Sequence, residues 1–159
     1  MLYEELLMSL AEIAVTIAAL SAVAGAIGKQ KEGGPHSRLK LLRDVALIGL
    51  SVALFAILPL LAQEAGAEKY LIWRWFSGLP VLVWISAYLI YTVKLIKDKA
   101  RINWVFWLGF VLLLVGNGLF ITNAIIVKEP SPVLYLGGLI SFLSVACLNF
   151  IEAVFKITQ

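Results

Sequence analysis

Five apolar stretches, each near the length a helix needs to cross a bilayer, constrain this chain more than any other feature. A hydrocarbon layer about 30 Å thick takes about 20 mostly apolar residues wound at 1.5 Å per residue. The first stretch runs over about 6–28, the second over 45–62 and the third over 74–94. The fourth covers 104–127 and the fifth 133–155. They are too long and too continuously apolar for the alternating strands of a membrane barrel, which run about ten residues each. The expected fold is an all-α integral membrane protein, one domain over 1–159 built as a bundle of five transmembrane helices.

Composition agrees. Hydrophobic residues make up 62% of the chain and charged residues 14%, whereas a soluble domain carries about 25% charged residues. A soluble fold of this size leaves too much surface in water to hide so much apolar area. The lipid bilayer is therefore the first expected partner, in a multi-pass protein of the cell (cytoplasmic) membrane. The net charge of +3 is too small to argue for nucleic acid.

The distribution of charge orients the bundle. Lys29, Lys31, Arg38, Lys40 and Arg43 lie between the first two stretches, and Lys94, Lys97, Lys99 and Arg101 between the third and fourth. Lys156 follows the fifth, while only Lys69, Arg74 and Lys128 fall on the other side. Basic loops stay in the cytoplasm, so the N-terminus is expected outside and the C-terminus inside. The flank "MLYEELL" carries Glu4 and Glu5 where a signal peptide would carry positive charge, so the first stretch is expected to be a retained helix. Trp73 and Trp75 at one end, with Trp104 and Trp107 at the other, suit headgroup-level anchors.

Breakers fall between and within the stretches. "GGP" (Gly33 to Pro35) opens the first cytoplasmic loop, with His36 beside it, and "EPSP" (Glu129 to Pro132) makes an outer turn. Pro59 and Pro80 lie inside the second and third stretches. Each removes one backbone hydrogen bond and is expected to kink its helix, a cost membrane helices bear when a neighbour satisfies the freed carbonyl. There is no internal repeat, and an odd number of spans does not divide into two inverted halves.

Polar residues inside the apolar stretches are the candidate functional positions. Glu12 lies roughly 12 Å below the outer end of the first helix at 1.5 Å per residue. Thr16 falls about 40° and Ser9 about 60° around the helix from it, so the three form one strip. A charge near mid-membrane costs about 2.5–3.5 kcal/mol on insertion scales. Glu12 is therefore expected to face protein, a cation or water. The opposite side carries Ala14, Ala18 and Gly25, small residues that admit a neighbouring backbone.

The fourth helix repeats Gly109, Gly116 and Asn123 at seven-residue spacing, with Asn117 and Thr122 outside that seam. These polar groups are the expected partners of Glu12, either as interhelical clasps or as ion ligands. On the fifth helix Ser141, Asn149 and Glu152 share a face, beside Gly137. Glu152 is expected to pair with a nearby cation, and Asp44 to face the N-terminal dipole of its helix. Two polar tracks result: Ser9, Glu12, Thr16, Asn117, Thr122 and Asn123, then Ser141, Asn149 and Glu152.

Catalytic and cofactor signatures are missing. No metal-ligand spacing, nucleophile elbow, phosphate loop or dinucleotide turn occurs. Cys147 is the single cysteine and reads as a core residue. No cofactor, metal or enzymatic activity is expected. The expected function is transport: a small homo-oligomeric channel or pathway for ions or protons that uses the intramembrane Glu and Asn residues. The alternative is a non-catalytic accessory or structural subunit packed against another membrane-protein partner.

Overall fold

Each apolar run becomes a helix, and most of the helices outlast their runs. The structure, a computed structural model, describes residues 2–29, 36–97 and 104–157. The helices are α1 (Leu2–Lys29), α2 (His36–Glu64), α3 (Lys69–Lys97), α4 (Trp104–Ile121) and α5 (Pro132–Ile157). α4 continues through one turn of π-helix over Thr122–Ile126. Four segments are long and apolar enough to cross a membrane: Tyr3–Ala26, Leu41–Glu64, Trp104–Ile126 and Pro132–Phe155. α3 matches α2 in length at 29 residues. Arg74, Ser77, Trp84 and Tyr88 interrupt its aliphatic residues, and over its described part it does not join those four.

Longer helices move several residues from their expected settings. His36 opens α2 instead of lying in a loop, because the polar segment before Leu41 winds as a helix. Asp44 consequently sits in the third turn, away from the helix start, beside Arg43 at 3.8 Å. Pro59 and Pro80 both lie within unbroken helices. The Gly33–Pro35 breaker, together with Lys31, Lys99 and Arg101, is outside the described residues.

Successive helices run antiparallel. α5 occupies the middle and touches all the others, whereas α1 packs on α2 and α5 and meets neither α3 nor α4 among the described residues. Small residues set the tightest seams. Ala11, Ala14, Ala18 and Ser21 are buried on α1, and Gly49 of α2 lies against Ala14 and Ala18. A methyl group on Gly49 would stand 2.7 Å from the Ala14 carbonyl oxygen and 3.1 Å from Ala18 Cβ. On the α4–α5 side, a methyl on Gly116 would meet the Phe142 ring at 3.0 Å. One on Gly137 would meet Leu119 at 3.1 Å, and one on Gly138 the Phe120 ring at 2.7 Å. Gly25 and Gly109 are looser, with Leu42 and Val145 at 4.0 and 3.9 Å.

A line of rings fills the core. Trp73 lies 5.6 Å from Tyr135, Tyr135 5.4 Å from Phe120, and Phe120 5.8 Å from Phe142, centroid to centroid. Trp84 closes the line against Phe142 at 3.7 Å. Trp73, only 9% exposed, is thus a core residue and not a headgroup anchor. Trp75, Trp104 and Trp107 are exposed, in positions that suit anchoring.

The proline in α2 explains one further contact. Pro59 has no N–H for the carbonyl four residues earlier, which belongs to Phe55. The hydroxyl of buried Tyr135 donates to that oxygen at 2.6 Å. A side chain from α5 replaces the bond that Pro59 removes, and α2 stays helical through it.

Two turns position the end of the bundle that holds the start of α1. α2 closes with Gly66 at φ +83°, its N–H on the Gln63 carbonyl and the Ala67 N–H on that of Ala62. This left-handed closing motif is easiest for a residue without Cβ. α5 starts at Pro132, which needs no hydrogen-bond partner there. Ser131 caps it, accepting from the Val133 N–H at 3.2 Å.

Candidate functional site

The polar strip of α1 lies on the outside of the bundle. Ser9, Glu12 and Thr16 are all exposed, opposite the alanine face that packs on α2. Glu12 sits about 4 Å along the axis from the middle of Tyr3–Ala26, at 1.5 Å per residue. Thr16 turns its hydroxyl onto the Glu12 backbone carbonyl at 2.8 Å, so it does not hold the carboxylate. The side chain of Glu12 makes no hydrogen bond or ion pair among the described residues. It borders a shallow groove of about 360 Å³ between α1 and α2, with Met8, Val15 and Ile57 as apolar walls.

This placement corrects the expected pairing. Glu12 does not meet Asn117, Thr122 or Asn123, because α1 and α4 stand on different sides of α5. Helical periodicity places residues along and around one helix but leaves open which neighbour each face meets.

Asn123 turns inward instead. It is fully buried, its Nδ2 donating to Ser77 Oγ of α3 at 2.8 Å. Its Oδ1 accepts from the Ser131 N–H at 2.6 Å. One side chain therefore joins α3, the end of α4 and the cap of α5. The π-turn places it there: a wider turn, closed by the Val127 N–H on the Thr122 carbonyl, shifts the direction of the side chains that follow α4. Carbonyls in a last turn lack helical partners, and Arg74 Nε donates to that of Ala124 at 2.9 Å. Arg74 also donates to the Tyr70 hydroxyl and stacks over that ring. Thr122 is half-buried in the same turn.

The remaining positions are spread along the bundle. Asn117 donates to the Leu113 carbonyl at 2.8 Å, and its Oδ1 is buried without a partner. Ser141 is buried and donates to the Gly137 carbonyl at 3.0 Å. Asn149 and Glu152 are half-buried towards the other end of α5, as is Cys147. Among the described residues no three His, Cys, Asp or Glu side chains could hold a metal ion.

A cleft of about 550 Å³ opens at the end that holds the start of α1, among Tyr3, Glu4, Gln63, Lys69, Trp73 and Glu129. Gln63 Nε2 donates to Glu4 Oε1 across it at 3.0 Å, tying α1 to α2. Sequence reasoning did not single out Gly49, Ser77, Trp84 or Tyr135. A signal existed for Tyr135 only in part, because Pro59 announces an unpaired carbonyl without naming its donor. No family model, no curated protein and no solved structure matches the chain.

Proposed function

We propose that the chain is a five-span protein of the cytoplasmic membrane, N-terminus outside, that assembles as a homo-oligomer and conducts ions or protons. The path is lined where copies meet, by Ser9, Glu12 and Thr16 of α1. One observation carries this reading: the Glu12 carboxylate stands on the outer face of the protomer near the middle of an apolar helix. Facing lipid there would cost about 2.5–3.5 kcal/mol on insertion scales. A symmetric ring of copies removes that cost by turning the strip towards a shared wet space. An exposed small residue on the same side, Ala19, admits a close neighbour.

The experiment is flux. Liposomes containing wild-type protein should pass monovalent cations or protons down a gradient, and Glu12→Gln should lower that flux at least tenfold while retaining the wild-type helical signal and oligomer size. Undiminished flux in Glu12→Gln removes the carboxylate from the path. A monomer in nanodiscs that passes nothing, and co-purifies with another membrane protein unless Glu12 is changed, would establish the accessory-subunit reading instead.

A further inference from the structure

The cleft beside the start of α1 lies at the height where the apolar spans stop. Tyr3 opens the span Tyr3–Ala26, Gln63 is the last residue but one of Leu41–Glu64, and Pro132 opens Pro132–Phe155. Glu129 lies three residues past Ile126, where Trp104–Ile126 ends. In a bilayer such span ends stand at the headgroup layer, above about 30 Å of hydrocarbon. The cleft's volume of about 550 Å³ falls in the usual range of small-ligand sites, about 300–1,000 Å³.

Its walls carry opposite charges that do not meet. Lys69 of α3 and Glu129 of the turn before α5 both line the cleft and are exposed, and neither makes a hydrogen bond or ion pair among the described residues. Lys69 also opens α3, whose first-turn N–H groups lack helical partners and favour an anion. Beneath these groups the lining turns apolar, with Leu7 fully buried and Trp73 only 9% exposed. Separate charges of both signs suit a ligand that is itself a zwitterion, its anion on Lys69 and its cation on Glu129.

The rings decide which cation. A quaternary ammonium is held by a cage of open aromatic faces. Of the three rings in the cleft, Trp73 packs on Tyr135 and Tyr70 lies under Arg74 at 4.9 Å. Tyr3 alone does not make a cage. A carboxylate accepts N–H donors, so the cation that fits Glu129 is a primary ammonium.

The packing of the bundle provides room for tails. α1, α2, α3 and α4 follow one another around α5, each touching the next, but α4 does not touch α1. The ring is open there, and α5 shows through it. Val133 and Ile140, two turns apart on one stripe of α5, are exposed. An apolar furrow therefore runs from the cleft at Pro132 into the depth of the membrane.

We propose that the cleft binds the phosphoethanolamine headgroup of a phospholipid, with its ammonium on Glu129, its phosphate on Lys69 and its acyl tails along the α5 furrow. Free phosphoethanolamine carries the same polar groups without the tails. The site needs the spans to lie in a bilayer but is independent of conduction, since it shares no residue with the strip of Ser9, Glu12 and Thr16.

The test is native mass spectrometry on the full chain in detergent, mixed with phosphatidylethanolamine, phosphatidylcholine or phosphatidylglycerol of identical acyl chains. Phosphatidylethanolamine should be held about tenfold more tightly than the other two, the worth of one charge-assisted hydrogen bond. Lys69→Gln and Glu129→Gln should each abolish that preference with the helical signal unchanged, and Lys69→Arg should keep it. Soluble phosphoethanolamine should displace the lipid only in large excess. Equal retention of phosphatidylcholine or phosphatidylglycerol overturns the ammonium contact. A preference that survives both glutamine variants overturns the cleft as the site. Soluble phosphoethanolamine that binds as tightly as the lipid overturns the lipid as its occupant.

Discussion

Pro59 and Tyr135 show how much one residue's chemistry settles at long range. The carbonyl of Phe55 lacks its helical donor because of Pro59, and a hydroxyl 80 residues further along the chain supplies one. Tyr135→Phe should therefore destabilise the bundle by about 1–3 kcal/mol, the usual cost of a buried unpaired carbonyl, read as a lower midpoint in thermal or denaturant unfolding in detergent. Pro59→Ala in the Tyr135→Phe background restores an N–H to that carbonyl and should recover most of the loss. No recovery would mean that Tyr135 acts through its ring alone. Half of this arrangement is legible in the sequence, since a mid-helix proline always frees the carbonyl four residues earlier. The donor is not legible, because any tyrosine, serine or threonine on a neighbouring helix has the same chemistry.

At the scale of the helix, existence and approximate extent could be read directly, whereas direction around the axis could not. In water the apolar face of a helix points to the core. In lipid both the core-facing and the lipid-facing sides are apolar, and that rule loses its force. α1 illustrates the point. Its small residues marked the packed side, with Ala14 and Ala18 against Gly49 of α2, but nothing in its pattern placed Glu12 away from α4. The α1–α2 seam also yields a sharp expectation. Gly49→Leu would press its side chain on the Ala14 carbonyl, a backbone atom that cannot step aside, and should lower stability by about 1–3 kcal/mol, the common cost of overpacking. Gly118→Leu is the control, since a methyl there meets nothing within 4 Å, and it should leave the unfolding midpoint unchanged.

For the whole molecule, the proposed five crossings and outside N-terminus rest on the asymmetry of basic residues, and labelling decides them. In a Cys147→Ala background the chain has no other cysteine. Ala67→Cys, in the exposed turn between α2 and α3, should react with a membrane-impermeant maleimide in intact cells. Lys99→Cys should react only after permeabilisation. Equal reaction of both from outside would mean that α3 does not cross, and the reverse pattern would invert the protein.

Synthesis adds a constraint of time to the central place of α5. The helix that every other one touches is also the last of the five to leave the ribosome. Until it does, α1 and α2 can zip together, but Trp73, Trp84 and Phe120 lack the Tyr135 and Phe142 rings that they pack against. The core shared by these five helices is thus unfinished until α5 takes its place among the four made before it, and synthesis order decides when that core can close.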